Sequence, residues 1–202
     1  MQLIEASWPW LLRALAIGYV IGSIPMGVIV ARLFGLGDLR KIGSGNIGAT
    51  NVLRTGSKVA AACTLVVDMA KGWIAVALFL QWGDLAGQSA GIGAVLGHCL
   101  PVWLLFRGGK GVATFLGVIL GLDIFAGLLT CATWLAGAAV TRISSAAAMA
   151  SALSAPLWLM VLGRPEAVLA AAFLAAWVIL RHHANIRRLL SGTEPRIGNK
   201  GA

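Results

Sequence analysis

The chain has 202 residues, 59% of them hydrophobic and 11% charged, with a mean hydropathy of +0.88 and a net charge of +9. Soluble domains carry about 25% charged residues, so this composition excludes an ordinary soluble domain and indicates a polytopic helical membrane protein. Barrel-type alternation is absent, and the first apolar run is too long for a cleaved signal peptide.

The positive charge reads as basic loops at a cytoplasmic surface rather than a nucleic-acid face. Cys63, Cys99 and Cys131 each stand inside an apolar run, as small buried hydrophobes without metal-ligand spacing.

The first span is predicted from about Trp8 to Phe34. Pro25 removes a backbone donor and predicts a kink. Gly18, Gly22 and Gly27 suit close helix packing. A loop from about Gly35 to Lys58 follows. It carries Arg40, Lys41 and the run Gly43-Ser44-Gly45-Asn46-Ile47-Gly48-Ala49-Thr50-Asn51-Val52-Leu53-Arg54. Consecutive N–H groups, with Ser44, Asn46, Thr50 and Asn51 beside them and Arg54 at the end, predict an anion-binding concavity. Gly43, Gly45 and Gly48 match a dinucleotide fingerprint in spacing, but the βαβ unit it needs does not fit between two membrane spans.

The second span, about Val59 to Gln81, holds Asp68 and Lys71 on one helical face. They are a mutually neutralising pair or a support for the site. The third, about Gln88 to Phe106, holds His98 and Pro101. His98 is a packing residue or a second support.

Arg107-Gly108-Gly109-Lys110-Gly111 comes next. It is not a nucleotide P-loop, which needs Ser or Thr after the lysine. Gly108, Gly109 and Gly111 still allow close approach, Lys110 supplies a point charge, and a starting helix attracts anions. The apolar run from Gly111 to Leu122 rises only about 18 Å, against a hydrocarbon core of about 30 Å. The glycine loop is therefore expected below the membrane surface, as the floor of a polar cavity.

Further spans are predicted at about Ile124 to Val140, Ser144 to Leu162 and Ala167 to Leu180. The last runs into Arg181-His182-His183-Ala184-Asn185-Ile186-Arg187-Arg188. If that helix continues, His182 and Asn185 share a face. The basic end also suits the helix dipole and anionic lipid.

Seven spans put the termini on opposite sides. Arg32, Arg40, Lys41, Arg54, Lys58, Arg107, Lys110, Arg142, Arg181, Arg187, Arg188, Arg196 and Lys200 then share one side, against Arg13 and Arg164 on the other. The basic side is cytoplasmic by the positive-inside rule. The expected fold is an all-α polytopic membrane protein of seven transmembrane helices. Its N-terminus is outside, its C-terminus cytoplasmic, and its glycine-rich loops share the cytoplasmic face. One membrane-embedded domain covers residues 1–202, with 191–202 as a mobile tail.

The loops are rich in Gly, Ser, Asn and cations and poor in carboxylates. Magnesium-held phosphate would need Asp or Glu ligands, so the expectation is a metal-free site that grips phosphate through cations and N–H groups. No metal, cofactor, nucleic acid or obligate protein partner is called for.

Gly43 to Asn51 with Arg54, Gly108 to Thr114, and Arg181-His182 with Asn185 closely resemble the three motifs of the PlsY family. Gly22-Ser23-Ile24-Pro25, Asp68-x-x-Lys71-Gly72 and Gly97-His98-x-x-Pro101 match it too, so the resemblance runs along nearly the whole chain. It implies a seven-helix fold in the bacterial inner membrane with one site facing the cytoplasm. It also implies transfer of a fatty acyl group from acyl phosphate to the 1-hydroxyl of glycerol 3-phosphate, giving lysophosphatidic acid and phosphate, a step of phospholipid biosynthesis. One position departs: the family carries a structural glutamate where Ala184 stands, so another contact must hold that helix.

Within this frame Ser44, Arg54 and Lys110 are the expected phosphate-binding and catalytic groups, helped by Asn46, Thr50, Asn51, Gly108, Gly109, Gly111 and Asn185. Asp68, Lys71 and His98 support the site. An acyl phosphate already has a good leaving group, so positioning and charge would do most of the catalysis. The hydroxyl proton goes either to His182 or to a substrate phosphate. The His-x-x-x-x-Asp pattern of thioester-using acyltransferases is absent. A transporter or flippase for a phosphorylated small molecule is the alternative. It would show counterflow in vesicles without phosphate release.

Overall fold

The computed structural model describes residues 7–198, and helices and turns make up that range with no strand among the described residues. Residues 1–6 and 199–202, with Lys200 and the end of the expected tail, lie outside it.

The first span is two helices, α1 (Trp8–Ser23) and α2 (Met26–Leu33), broken at Ile24-Pro25. Pro25 bars the preceding residue from helical backbone, and Ile24 is extended there. The predicted kink is thus a full break. A one-turn helix α3 (Ala49–Leu53) sits in the following loop, and α4 (Lys58–Leu80) starts where the Ser57 hydroxyl accepts from the Ala60 N–H at 3.2 Å. The remaining helices are α5 (Asp84–Cys99), α6 (Val112–Leu122), α7 (Ile124–Thr141), α8 (Ser144–Val161), α9 (Pro165–Arg181) and α10 (His183–Leu190). Asp123 ends α6 and caps α7, accepting from the Ala126 N–H at 2.8 Å.

One predicted element is corrected, and one open condition is decided. The third span was expected from Gln88 to Phe106, but α5 starts at Asp84 and ends at Cys99. Pro101 stops it, Val102–Leu104 form one tight turn, and Leu105 and Phe106 take left-handed backbone. The last helix does not continue past Arg181 either. α9 and α10 meet at His182 and bend by 61°.

Among the described residues, four stretches are long and apolar enough to cross a membrane: Trp8–Leu33, Lys58–Leu80, Ile124–Thr141 and Ser144–Val161. The bent pair α9–α10 makes a fifth if it counts as one span. At 16 and 11 residues, α5 and α6 are shorter than those four. Large apolar side chains such as Leu128, Val140, Leu157, Val161 and Leu169 face outward, as a lipid-facing surface requires.

Backbones meet through small residues. A Cβ at Gly18 or Gly22 of α1 would strike the Ala90 or Ala94 carbonyl of α5, and one at Gly93 or Gly97 would strike Leu15 or Tyr19 of α1. Gly72 of α4 lies on Thr114 of α6, and Gly117 on Met69, in the same reciprocal way. Phe115, Ile119, Leu159, Leu174 and Val178 fill the core where α6, α8 and α9 meet.

The two ends of the bundle differ chemically. At one end Arg164 ties three turns together, reaching Asp84 at 3.2 Å, Asp123 at 3.5 Å and Glu166 at 2.6 Å. At the opposite helix ends the glycine-rich loops surround a cavity.

Candidate active site

The cavity has a volume of about 860 Å³. Ser44, Asn46, Thr50, Asn51 and Arg54 reach it from the first loop, Lys110 and Gly111 from the second, and His182 and Asn185 from the α9–α10 break. Asp68 and His98 line it as well. Gly108, Gly109 and Lys71 are not in its wall. Leu65, Met69, Leu116, Trp134 and Leu135 are apolar members of the same lining.

The first loop is organised around Asn51, which is 2% exposed. Its Nδ2 donates to the Leu39 carbonyl at 2.8 Å, and its Oδ1 accepts from the Ser44 N–H at 3.1 Å, the Ser44 hydroxyl at 3.4 Å and Arg54 Nη1 at 3.4 Å. A Cβ at Gly43, whose φ is +53°, would lie 2.6 Å from Arg54 Cδ and 2.7 Å from Asn51 Oδ1. The glycine is there so that Asn51 and Arg54 can close over it.

The predicted cradle of free backbone donors is in part used up inside the loop. The Ser44 N–H is held by Asn51, the Gly45 N–H by Ile42 O at 2.9 Å, and the Ile47 N–H by Asn46 Oδ1 at 3.0 Å. The loop offers an anion its side chains, chiefly Ser44 and Arg54, beside the first turn of α3, where Gly48, Ala49 and Thr50 line the cavity. Thr50 is turned to Ser144, their hydroxyls 3.1 Å apart.

The second loop is corrected in the same sense. The Gly108 N–H donates to Cys99 O at 3.2 Å and the Gly109 N–H to His98 O at 3.1 Å, so both glycines are bound to the end of α5. The second loop's donors at the cavity wall are Lys110 and the first turn of α6, whose N–H groups have no partner within the helix.

Lys110 donates from Nζ to Asn185 Oδ1 at 2.6 Å. Burial, together with the nearby Arg188, Arg54 and Arg181 charges, lowers its pKa to about 8, with Glu194 pulling the other way. His182 is 3% exposed, and its Nδ1 lies 2.7 Å from Val178 O. A carbonyl only accepts, so Nδ1 carries the proton and the neutral ring keeps an acceptor at Nε2.

Glu194, Ser145, Arg188 and Arg181, outside the predicted set, hold the site together. Glu194, from the tail, accepts from Ser145 at 2.7 Å, from Asn185 Nδ2, and from Arg188 Nε at 2.7 Å. Burial opposes its charge, but those three donors together hold its carboxyl below the usual range. Glu194 makes the contact that Ala184 cannot. The tail is seated as far as Gly198, where the Ile197 N–H donates to Arg142 O at 2.6 Å. Arg181 Nη2 donates to Gly109 O at 3.2 Å and to Cys99 O at 3.4 Å. A lone acid in a basic tail, beside a helix lacking its expected acid, was the signal for Glu194.

The model of the family described as glycerol-3-phosphate acyltransferase matches residues 12–192. The chain is 52% identical to the glycerol-3-phosphate acyltransferase of Cereibacter sphaeroides, over all of this chain and 97% of the relative. It is 55% identical to that of Jannaschia sp., over 98% of both chains. Its fold is similar to the crystal structure of PlsY (YgiH), an integral membrane glycerol 3-phosphate acyltransferase, in the glycerol 3-phosphate form. The TM-score is 0.87 at 37% identity, covering 93% of this chain and 96% of that one. The lysophosphatidic acid form of the same protein matches with a TM-score of 0.86 at 36% identity, over 93% and 95% of the two chains. With one cavity that joins all three motifs, and relatives matched from end to end, the chain belongs to the PlsY family of integral membrane glycerol-3-phosphate acyltransferases.

Proposed function

We propose that this protein transfers a fatty acyl group from acyl phosphate to the 1-hydroxyl of glycerol 3-phosphate, releasing lysophosphatidic acid and inorganic phosphate. The observation that carries the reading is the mixed lining of one cavity. Ser44, Arg54, Lys110 and His182 line it together with Leu65, Met69, Leu116, Trp134 and Leu135. An amphipathic donor fits such a space, with its phosphate at the cations and its chain along the apolar residues. The two ligand forms of the PlsY neighbour support the acceptor and the product.

The chemistry follows from the charges. Two anionic substrates repel each other, and Arg54 and Lys110 offset that repulsion while holding the hydroxyl near the acyl carbon. The hydroxyl oxygen bonds to that carbon, its proton passes to His182 Nε2, and the carbon–oxygen bond to phosphate breaks. The departing phosphate takes charge that Lys110 and Arg54 stabilise, and His182 returns the proton to it or to water. The cavity's carboxylates among the described residues, Asp68 and Glu194, are both engaged by protein groups, so the reading assigns the phosphates to cations.

The reading includes seven transmembrane helices, with α5 and α6 among them and the cavity at the cytoplasmic face of the bacterial inner membrane. Membrane lipids and the two substrates are its partners.

Donor choice is the test. Purified protein receives glycerol 3-phosphate with acyl phosphate, acyl-CoA or acyl carrier protein in turn. Release of inorganic phosphate with acyl phosphate alone is expected, and turnover with either thioester instead would overturn the reading.

A further inference from the structure

We propose that His98 is a positioning residue for Lys110, and that Gly109 is a glycine because the His98 ring stands where its side chain would go. The proposal rests on the reading of Lys110 as a holder of the substrate phosphate.

Three observations carry it. First, a Cβ at Gly109 would fall on His98 Nε2, and one at Gly108 would fall on the His98 carbonyl and Pro101. Nothing in that space is left for a ligand. Second, the two glycine N–H groups are spent on Cys99 O and His98 O, so a close phosphate approach to them is not what fixes their identity. Third, the ring is itself held. Thr114 Oγ1 lies 3.2 Å and Asp68 Oδ1 3.5 Å from its Nδ1. Asp68 pairs with Lys71 at 2.7 Å, and Lys71 donates to the Ile24 carbonyl, at the break between α1 and α2, at 3.1 Å.

The chain of contacts therefore runs from the helix break, through three buried polar side chains, to the residue directly before Lys110. Buried charged groups are costly in a membrane and are kept where they serve something. Here they fix one wall. Gly109 packs on that wall, Arg181 donates to the Gly109 carbonyl, and Lys110 follows with its ammonium on Asn185.

A double-mutant cycle separates this from a ligand-approach role for the glycine. Gly109→Ala is made in the natural background and in His98→Asn, which keeps a polar atom where Nδ1 stands and deletes the ring beyond it. KM for glycerol 3-phosphate and kcat are measured for all four proteins, and calorimetric binding of glycerol 3-phosphate gives the same comparison where turnover is lost. Gly109→Ala is expected to raise KM or Kd about tenfold in the natural background and less than twofold in His98→Asn. An equal penalty in both backgrounds would overturn the proposal. His98→Ala, which removes the ring altogether, repeats the cycle if the asparagine variant does not fold. Natural protein that fails to turn over acyl phosphate defeats the functional reading, whereas natural turnover with an additive cycle defeats this inference alone.

Discussion

Lys110 Nζ lies 2.6 Å from Asn185 Oδ1, and the amide's other end, Nδ2, donates to Glu194. One asparagine thus orients the cation of the second motif by way of a carboxylate in the tail. Because the oxygen faces an ammonium and the nitrogen a carboxylate, the amide has one satisfied orientation. A hydrogen bond to a charged group is worth about 1.5–3 kcal/mol, and roughly 1.4 kcal/mol is a factor of ten. Asn185→Ala is therefore expected to lower kcat/KM about 10- to 100-fold, and Lys110→Ala to lower it further while the protein still inserts. Near-normal kcat/KM in Lys110→Ala would remove that cation from the site.

The Lys110 charge sets a pH limit. Its pKa is lowered from 10.5 to about 8, chiefly by burial and then by neighbouring arginines. Below that value the ammonium is present in the free enzyme, and above it the charge is lost. Since kcat/KM reports ionisation of the free enzyme, kcat/KM for glycerol 3-phosphate should fall as pH rises through about 8. Lys110→Arg, if active, should carry that limb well above the alkaline range tested. A profile flat to pH 10 in the natural protein would mean that Lys110 does not need its proton.

Glu194 is expected to matter for stability more than for chemistry. Glu194→Ala strips three donors of their shared acceptor, at about 1–3 kcal/mol per unsatisfied group where water cannot replace it. A lower thermal midpoint in detergent is expected, with Glu194→Gln less affected than Glu194→Ala. The folded carboxyl titrates below its ordinary 4.5, so its contribution is complete above about pH 4.5 and fades as pH falls through the lowered value. An unchanged midpoint for Glu194→Ala at pH 7 would show the tail contact to be idle.

Hydropathy located the long helices, and Pro25 located the break in the first. It misplaced α5, because Gly and Ala from Ala86 to Gly97 give a weak apolar signal, whereas Pro101 decides where the helix can end. The motifs were legible as a set, and they do share one cavity. The way they work was not. Glycine-rich loops read as free N–H donors because sequence does not show who accepts from them. Asn51, Cys99 and His98 take three of those donors, the N–H groups of Ser44, Gly108 and Gly109, and these are tertiary contacts with no periodicity. The partners of Glu194 were hidden for the same reason: Ser145, Asn185 and Arg188 lie on α8 and α10.

His182 separates proton transfer from binding. Its ring is fixed by the Nδ1–H bond to Val178 O at 2.7 Å, which leaves Nε2 as the acceptor. A general base contributes about 10²- to 10⁴-fold, so His182→Ala should lower kcat by that order while KM for glycerol 3-phosphate moves only about threefold. His182→Asn is the sharper variant, because it keeps a donor toward Val178 and the local fold yet offers no basic nitrogen. If both variants lose kcat alike and keep KM, the lost function is the base. If His182→Asn turns over near the natural rate, the hydroxyl proton goes to a substrate phosphate, and the ring's part is to fill the bend between α9 and α10.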